Sequence, residues 1–116
     1  MSRDLPKGDI PTLILATLVD GPRHGYAIAR EVERISKEAL RLREGSLYPA
    51  LRVLEQDSLV ISEWITPAAG GPARRVYSIT DEGRAELSRR TAEWQNYASF
   101  MNAILGQGRT PDEQSA

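Results

Sequence analysis

Apolar positions along this chain recur with two different periods, and the switches between them lay out its elements. Leu13, Ile14, Thr17 and Leu18 repeat at i, i+1, i+4 and i+5, with Leu15, Ala16 and Val19 thickening the surface, which predicts a first helix buried on most sides. Asp9 is its expected N-cap, Pro11 is tolerated in its opening turn, and Asp20-Gly21-Pro22 stops it. A second helix is expected from about Tyr26 to Ser36, burying Ile28, Val32 and Ile35 and turning Arg30, Glu33, Arg34 and Lys37 to water. Ala39 to Arg43 alternates apolar and basic, the pattern of a very short strand. Leu47, Leu51 and Leu54 then return to helical spacing, with Ala50 between them. Pro49 lacks an N–H and fits best in a first turn, so this third helix is expected to begin near Gly45 or Ser46, with Ser46 as N-cap. An earlier start would predict a kink at Pro49.

Past Gln56 the period changes again. Asp57-Ser58 reads as an exit turn, and Ile61 to Thr66 alternates two faces, Ile61 and Ile65 on one and Trp64 on the other. Pro67-Ala68-Ala69-Gly70-Gly71-Pro72 is a loop, and Arg74 to Ile79 is the returning strand of a hairpin. Thr80 is the expected N-cap of a last helix, with Asp81 and Glu82 favourable at its positive end. From there to Leu105 no proline or central glycine interrupts, giving about 25 residues, or about 37 Å. Leu87, Thr91, Trp94, Ala98, Met101 and Leu105 follow steps of four and three, a heptad seam. A helix of this length exceeds what so small a domain can cover, so the seam is expected to meet its copy, or another subunit's domain, in a symmetric dimer.

Composition narrows the function. With 116 residues, the chain is one small domain, or a small domain with an oligomerising arm. It contains no cysteine, which removes disulfides, thiolate metal sites and cysteine nucleophiles together, and its one histidine, His24, cannot alone build a zinc site or a catalytic triad. His24 reads as a turn or backbone-facing residue, with a phosphate contact at the start of the second helix as the alternative. No metal cluster, phosphate loop or cofactor motif is present, so no enzyme and no cofactor are expected. No apolar run is long enough for a bilayer and no signal-peptide pattern opens the chain, so the expected location is cytoplasmic, without a membrane partner.

Charge changes the picture locally. The net charge of −1 does not announce a nucleic-acid binder, yet Arg23 to Arg52 carries seven cations against four carboxylates around the third helix. Off the leucine stripe, the start of that helix displays the Ser46 hydroxyl, the Tyr48 phenol, Pro49 and, one turn on, Arg52. A helix that enters a DNA groove end-first is equipped in this way, though an ordinary amphipathic core helix also carries such a stripe. Arg74 and Arg75 at the base of a Gly-rich hairpin suit a DNA backbone, or are simply solvated. Three helices followed by a hairpin is the element order of a winged helix-turn-helix. The fold class is therefore mainly α (α+β): a winged helix-turn-helix over residues 9–79 with a β-hairpin wing, and a long C-terminal dimerisation helix over 80–106. Residues 1–8 and 107–116 are expected to be flexible tails.

Three stretches, taken together, resemble the PadR family of bacterial transcriptional regulators: His24-Gly25-Tyr26-Ala27-Ile28, Gly45 to Leu51 with Leu54-Glu55 behind it, and Arg74 to Gly83. They cover most of Leu13 to Leu87 in the family's order, and the chain looks like the short branch with a single long C-terminal helix. The resemblance implies a dimeric winged-helix repressor with the Leu47–Gln56 helix in the major groove and the Gly70–Arg75 wing on the flanking backbone or minor groove. It assigns Ser46, Tyr48 and Pro49 to the reading-helix motif, Arg52 to a usually basic position, and Arg74 and Arg75 to the base of the wing. Tyr26 matches the second-helix tyrosine, which burial would explain as well as DNA contact. Ser58 stands where the family usually has glycine, so a different exit turn is expected there. In drug-sensing members a tryptophan at the place of Trp94 stacks on flat aromatic ligands; a large dimer-core residue is the other reading of Trp94. The larger C-terminal domain of phenolic-acid-sensing relatives is not expected here, so that ligand class is not carried over.

The leading expectation is a sequence-specific DNA-binding repressor, a homodimer on a pseudo-palindromic double-stranded operator, with release by a flat aromatic effector as an added possibility. A winged-helix protein-interaction module without specific DNA binding is the competing reading.

Overall fold

The computed structural model describes residues 3–106; the expected tail 107–116 lies outside the described residues. A 3₁₀ turn over Lys7–Asp9 runs directly into helix α1 (Ile10–Thr17). Asp9 occupies the N-cap position, but its backbone is already helical and its side chain makes no capping bond. The helix also ends sooner than Asp20. Arg23 Nε donates to the Thr17 carbonyl at 2.7 Å, supplying the partner that the helix end lacks.

Strand β2 (Arg23–His24) leads into helix α2 (Gly25–Ile35), and His24 is its N-cap: Nδ1 accepts the Ala27 N–H at 3.2 Å. Ile28 and Val32 are buried as their spacing requires, but Ile35 is 62 % exposed. Ile35 shares a face with Ile28, yet it lies in the last turn, where none of the described residues covers it. Lys37 and Glu38 then take left-handed backbone conformations, with φ of 54° and 64°. The short strand expected after them is β3 (Leu40–Arg41). Its partner is β1 (Arg3–Asp4), which runs parallel to it, so the lead-in is tied down from Arg3 onward.

Helix α3 spans Glu44–Gln56 with Arg43 at the N-cap position. It starts before Ser46, which makes no cap, and Pro49 therefore stands inside the helix and removes one intrahelical bond. Leu47, Leu51 and Leu54 are buried with Ile14 and Leu15 of α1, Leu18 just past its end, Ile28 of α2, and Val60. Each such side chain contributes roughly 1.5–3 kcal/mol by leaving water. This core fixes α3 against α1 and leaves the opposite face of α3 to solvent.

Strands β4 (Val60–Ile65) and β5 (Arg74–Ile79) form the hairpin, antiparallel from Val60↔Ile79 to Ile65↔Arg74, with β2 on the far edge of β5. Only the inner end is buried, at Val60 and Tyr77; Ile61, Trp64 and Ile65 project beyond the core. Helix α4 (Asp81–Gly106) begins as expected, with Thr80 Oγ1 accepting the Gly83 N–H at 2.9 Å. A Cβ at Gly83 would run into the Leu59 carbonyl, so glycine permits the close approach of α4 to the start of β4. Leu87 packs on the core. Past it, α4 runs by Gly8, Asp9, Pro11 and Thr12 as far as Tyr97 and its last turns project away from the domain, and the radius of gyration, 18.0 Å, exceeds the value near 13 Å of a compact chain this long.

Candidate nucleic-acid interface

The N-terminal half of α3 faces solvent. Tyr48, Pro49 and Arg52 are exposed and Ser46 is half-buried, on the side opposite the leucine stripe. Arg52 has no hydrogen-bond or ion-pair partner among the described residues, which leaves its guanidinium available to an outside acceptor. The position of Tyr48 depends on Gly25. A Cβ there would lie 2.6 Å from Tyr48 Oη and 2.8 Å from Cε1, so the phenol ring rests against the bare start of α2. The His24-Gly25 pair thus does two jobs: the imidazole caps α2, and the glycine admits the Tyr48 ring of α3.

Tyr26 is 60 % exposed, so burial does not account for it. Its hydroxyl accepts from Arg30 Nη1 at 3.0 Å, and its ring lies under that guanidinium at 5.7 Å and stacks beside His24. The hydrogen bond to Tyr26 is the main reason the Arg30 pKa lies above its ordinary value.

The start of α2, the start of α3 and the wing enclose a cleft of about 540 Å³, lined by His24, Tyr26, Tyr48, Trp64, Arg74 and Arg75 among others, with no carboxylate among the described residues that line it. The two wing arginines differ within it. Arg75 Nη2 donates to Glu55 Oε1 at 2.9 Å and its Nε to Ser62 Oγ at 2.9 Å, while Ser62 Oγ donates to Glu55 Oε2 at 2.7 Å. This closed ring ties the wing to α3. Arg75 also covers the buried Tyr77, whose phenol pKa is pushed up by burial. Arg74 has no carboxylate partner among the described residues; its Nη1 lies 3.1 Å from His24 Nε2.

Other cations of the basic stretch are also engaged. Arg23 and Arg34 share Glu31, and Arg43 pairs with Asp4 at 2.8 Å. The unpaired positive charge around α3 is therefore smaller than the sequence count; among the described residues Arg52 and Arg74 carry theirs without a carboxylate partner. Reasoning from sequence missed Trp64, 68 % exposed in the cleft wall, although the hairpin register that sets it opposite Arg75 was its signal.

On α4, Thr91, Trp94, Met101 and Leu105 are exposed and Ala98 is partly so, whereas Leu87 belongs to the domain core. The heptad reading passed over a second row, Tyr97, Phe100 and Ile104, also exposed and also spaced by three and four. No helix among the described residues is long and apolar enough to cross a membrane.

Comparison with known proteins agrees with this architecture. The chain is 37% identical over 86 residues to a transcriptional regulator of Mycobacterium tuberculosis, covering 74% of this chain and 76% of that protein. A PadR family transcription regulator from Clostridium difficile shares the fold with a TM-score of 0.74 at 32% identity, over 84% of this chain and 99% of the other. A transcriptional regulator from Clostridium thermocellum gives a TM-score of 0.77 at 26% identity, over 85% and 95% of the two chains. The family described as the transcriptional regulator PadR-like family matches residues 14–89, the stretch that builds α1 to α3, the wing and the start of α4. With its helices, wing and long final helix in that order, this chain belongs to the PadR-like family of transcriptional regulators, DNA-binding proteins that carry out no catalysis.

Proposed function

We propose that this protein is a sequence-specific repressor that binds a pseudo-palindromic operator as a homodimer in the cytoplasm. Residues 9–79 form the DNA-binding domain and 80–106 the dimerisation helix. The observation that carries the reading is the open N-terminal half of α3, with Tyr48 and an Arg52 that is unpaired among the described residues, flanked by a cleft whose described lining contains cations and no carboxylate. The start of α3 reads base edges in the major groove through Ser46, Tyr48, Pro49 and Arg52. Arg74 holds a phosphate, Tyr26 stands at the strand crossing α2, and Arg75 serves as a positioning residue that fixes the wing on α3. Two copies joined through α4 place their reading helices on half-sites about one helical turn, ~34 Å, or a small multiple apart. A flat aromatic effector stacking on Trp94, which is 58 % exposed on the seam, shifts that separation, so effector and DNA oppose each other.

The test is binding to DNA upstream of the protein's own coding region against an unrelated duplex of equal length, across a salt series. Tight binding to the first is expected, with log affinity falling linearly in log salt. Arg52→Ala lowers discrimination between the duplexes, and Arg74→Ala weakens both and reduces the salt slope by about one. Weak, salt-insensitive binding to both duplexes by a folded dimer would instead mark a protein-interaction module.

A further inference from the structure

Trp64 has no function in the assignments above, yet it is among the most exposed large apolar side chains in the protein. It lies beyond the end of the core on the cleft side of β4, opposite Arg75 in the register. Across the cleft stands Tyr48, held in place by Gly25. Two aromatic surfaces therefore face one space, with a guanidinium at its edge.

That edge holds an unresolved contact between donors. A neutral imidazole has one N–H and one acceptor nitrogen. His24 Nδ1 accepts the Ala27 N–H, which places the ring proton on Nε2. Nε2 then points an N–H at Arg74 Nη1, 3.1 Å away, and a guanidinium nitrogen cannot accept. The opposite tautomer moves the conflict to the helix cap and takes the acceptor away from the Ala27 N–H. On the open side an anionic oxygen relieves it by accepting from both groups at once.

We propose that this cleft takes one sugar–phosphate unit of the DNA strand at the rim of the groove that α3 enters. The phosphate is held between His24 Nε2–H and Arg74, and the deoxyribose lies against Trp64. Trp64 is thus a DNA-contacting residue. The assignment rests on the DNA-binding reading above and adds a contact to it. The geometry favours a backbone unit over a base: the end of α3 points into the groove, and the space between it, the start of α2 and the wing is where the bordering strand passes. A sugar contact is uncharged and blind to sequence. Its signature therefore differs from those of Arg74 and Arg52.

The test compares the wild-type protein with Trp64→Ala and Trp64→Phe on the upstream and unrelated duplexes over a salt series. Trp64→Ala is expected to weaken both duplexes by a common factor of about ten, leaving the salt slope unchanged. Trp64→Phe keeps a ring in the cleft and restores most of the affinity. DNA alters the tryptophan emission of the wild type, and that change is reduced in Trp64→Phe, where Trp94 is the only remaining indole. Wild-type binding that Trp64→Ala leaves unaltered overturns the assignment of Trp64 alone. A loss confined to the upstream duplex overturns the sugar contact and makes Trp64 a base reader. Failure of the wild-type protein to bind either duplex at low salt overturns the DNA reading and this assignment with it.

Discussion

At the scale of single residues, the interface depends on one absent methyl group. Gly25 needs no unusual backbone angle, so alanine would suit the first turn of α2 at least as well by helix propensity. Its hydrogen matters because the Tyr48 ring occupies the space that a Cβ would fill, with contacts down to 2.6 Å. Gly25→Ala is expected to leave a folded protein, since the atoms to be displaced are the far end of an exposed side chain. It moves the phenol off the start of α2 and lowers discrimination between the upstream and unrelated duplexes by roughly tenfold, the scale of one lost base contact. Competition binding measures the loss, and a circular dichroism melt shows that the fold is kept. Neither the motif His24-Gly25 nor the isolated Tyr48 reveals this dependence, because the two lie on different helices. The same holds for the paired arginines. Adjacent in sequence, Arg74 and Arg75 look equivalent; successive strand residues face opposite ways, and only one of them meets Glu55.

At the scale of elements, the hydrophobic periods placed every helix and the hairpin, and the errors fall where one chain's pattern has no information. The spacing of Ile35 gives the direction of its side chain but not whether another element lies opposite. Ser46 has the chemistry of a cap, yet the first turn had already begun at Glu44. The exit from α3 shows the reverse case. Ser58 adopts the left-handed turn that glycine usually provides, with φ of 61°. Its N–H donates to the Glu55 carbonyl at 3.1 Å and that of Leu59 to Leu54 at 2.9 Å, the pair of bonds of a Schellman ending. The expected change of turn did not occur because these bonds, with Thr80 Oγ1 donating to the Ser58 carbonyl at 2.7 Å, hold the residue there against its preference. A non-glycine residue in this conformation costs about 1 kcal/mol. Ser58→Gly is therefore expected to stabilise the protein by about 0.5–1 kcal/mol, partly offset by the greater freedom of glycine in the unfolded chain. Urea midpoints compared at one protein concentration measure it; an unchanged or lower midpoint would mean that the serine is not strained.

At the scale of the whole molecule, the question is what α4 is for. Its first turns belong to the domain through Thr80, Gly83 and Leu87, and its outer half carries two apolar rows in water. The first row, Trp94, Ala98, Met101 and Leu105, was legible as a heptad; the second, Tyr97, Phe100 and Ile104, was hidden because a single seam already satisfied the period. Two rows have a consequence that one row lacks. A two-stranded coil covers only the seam, so in the proposed homodimer the second row needs another part of the partner, and α4 must lie against the partner's domain as well as its helix. Charge at either row should then separate the subunits. Met101→Glu and Phe100→Glu are each expected to convert the dimer to monomer in sedimentation equilibrium, with helical content little changed, because neither side chain contributes to the domain core. Operator affinity falls by about 10²-fold or more, since each half-site must then be bound independently. If Phe100→Glu leaves the dimer intact while Met101→Glu breaks it, the coil alone joins the subunits, and the row of Tyr97, Phe100 and Ile104 remains in water in the dimer.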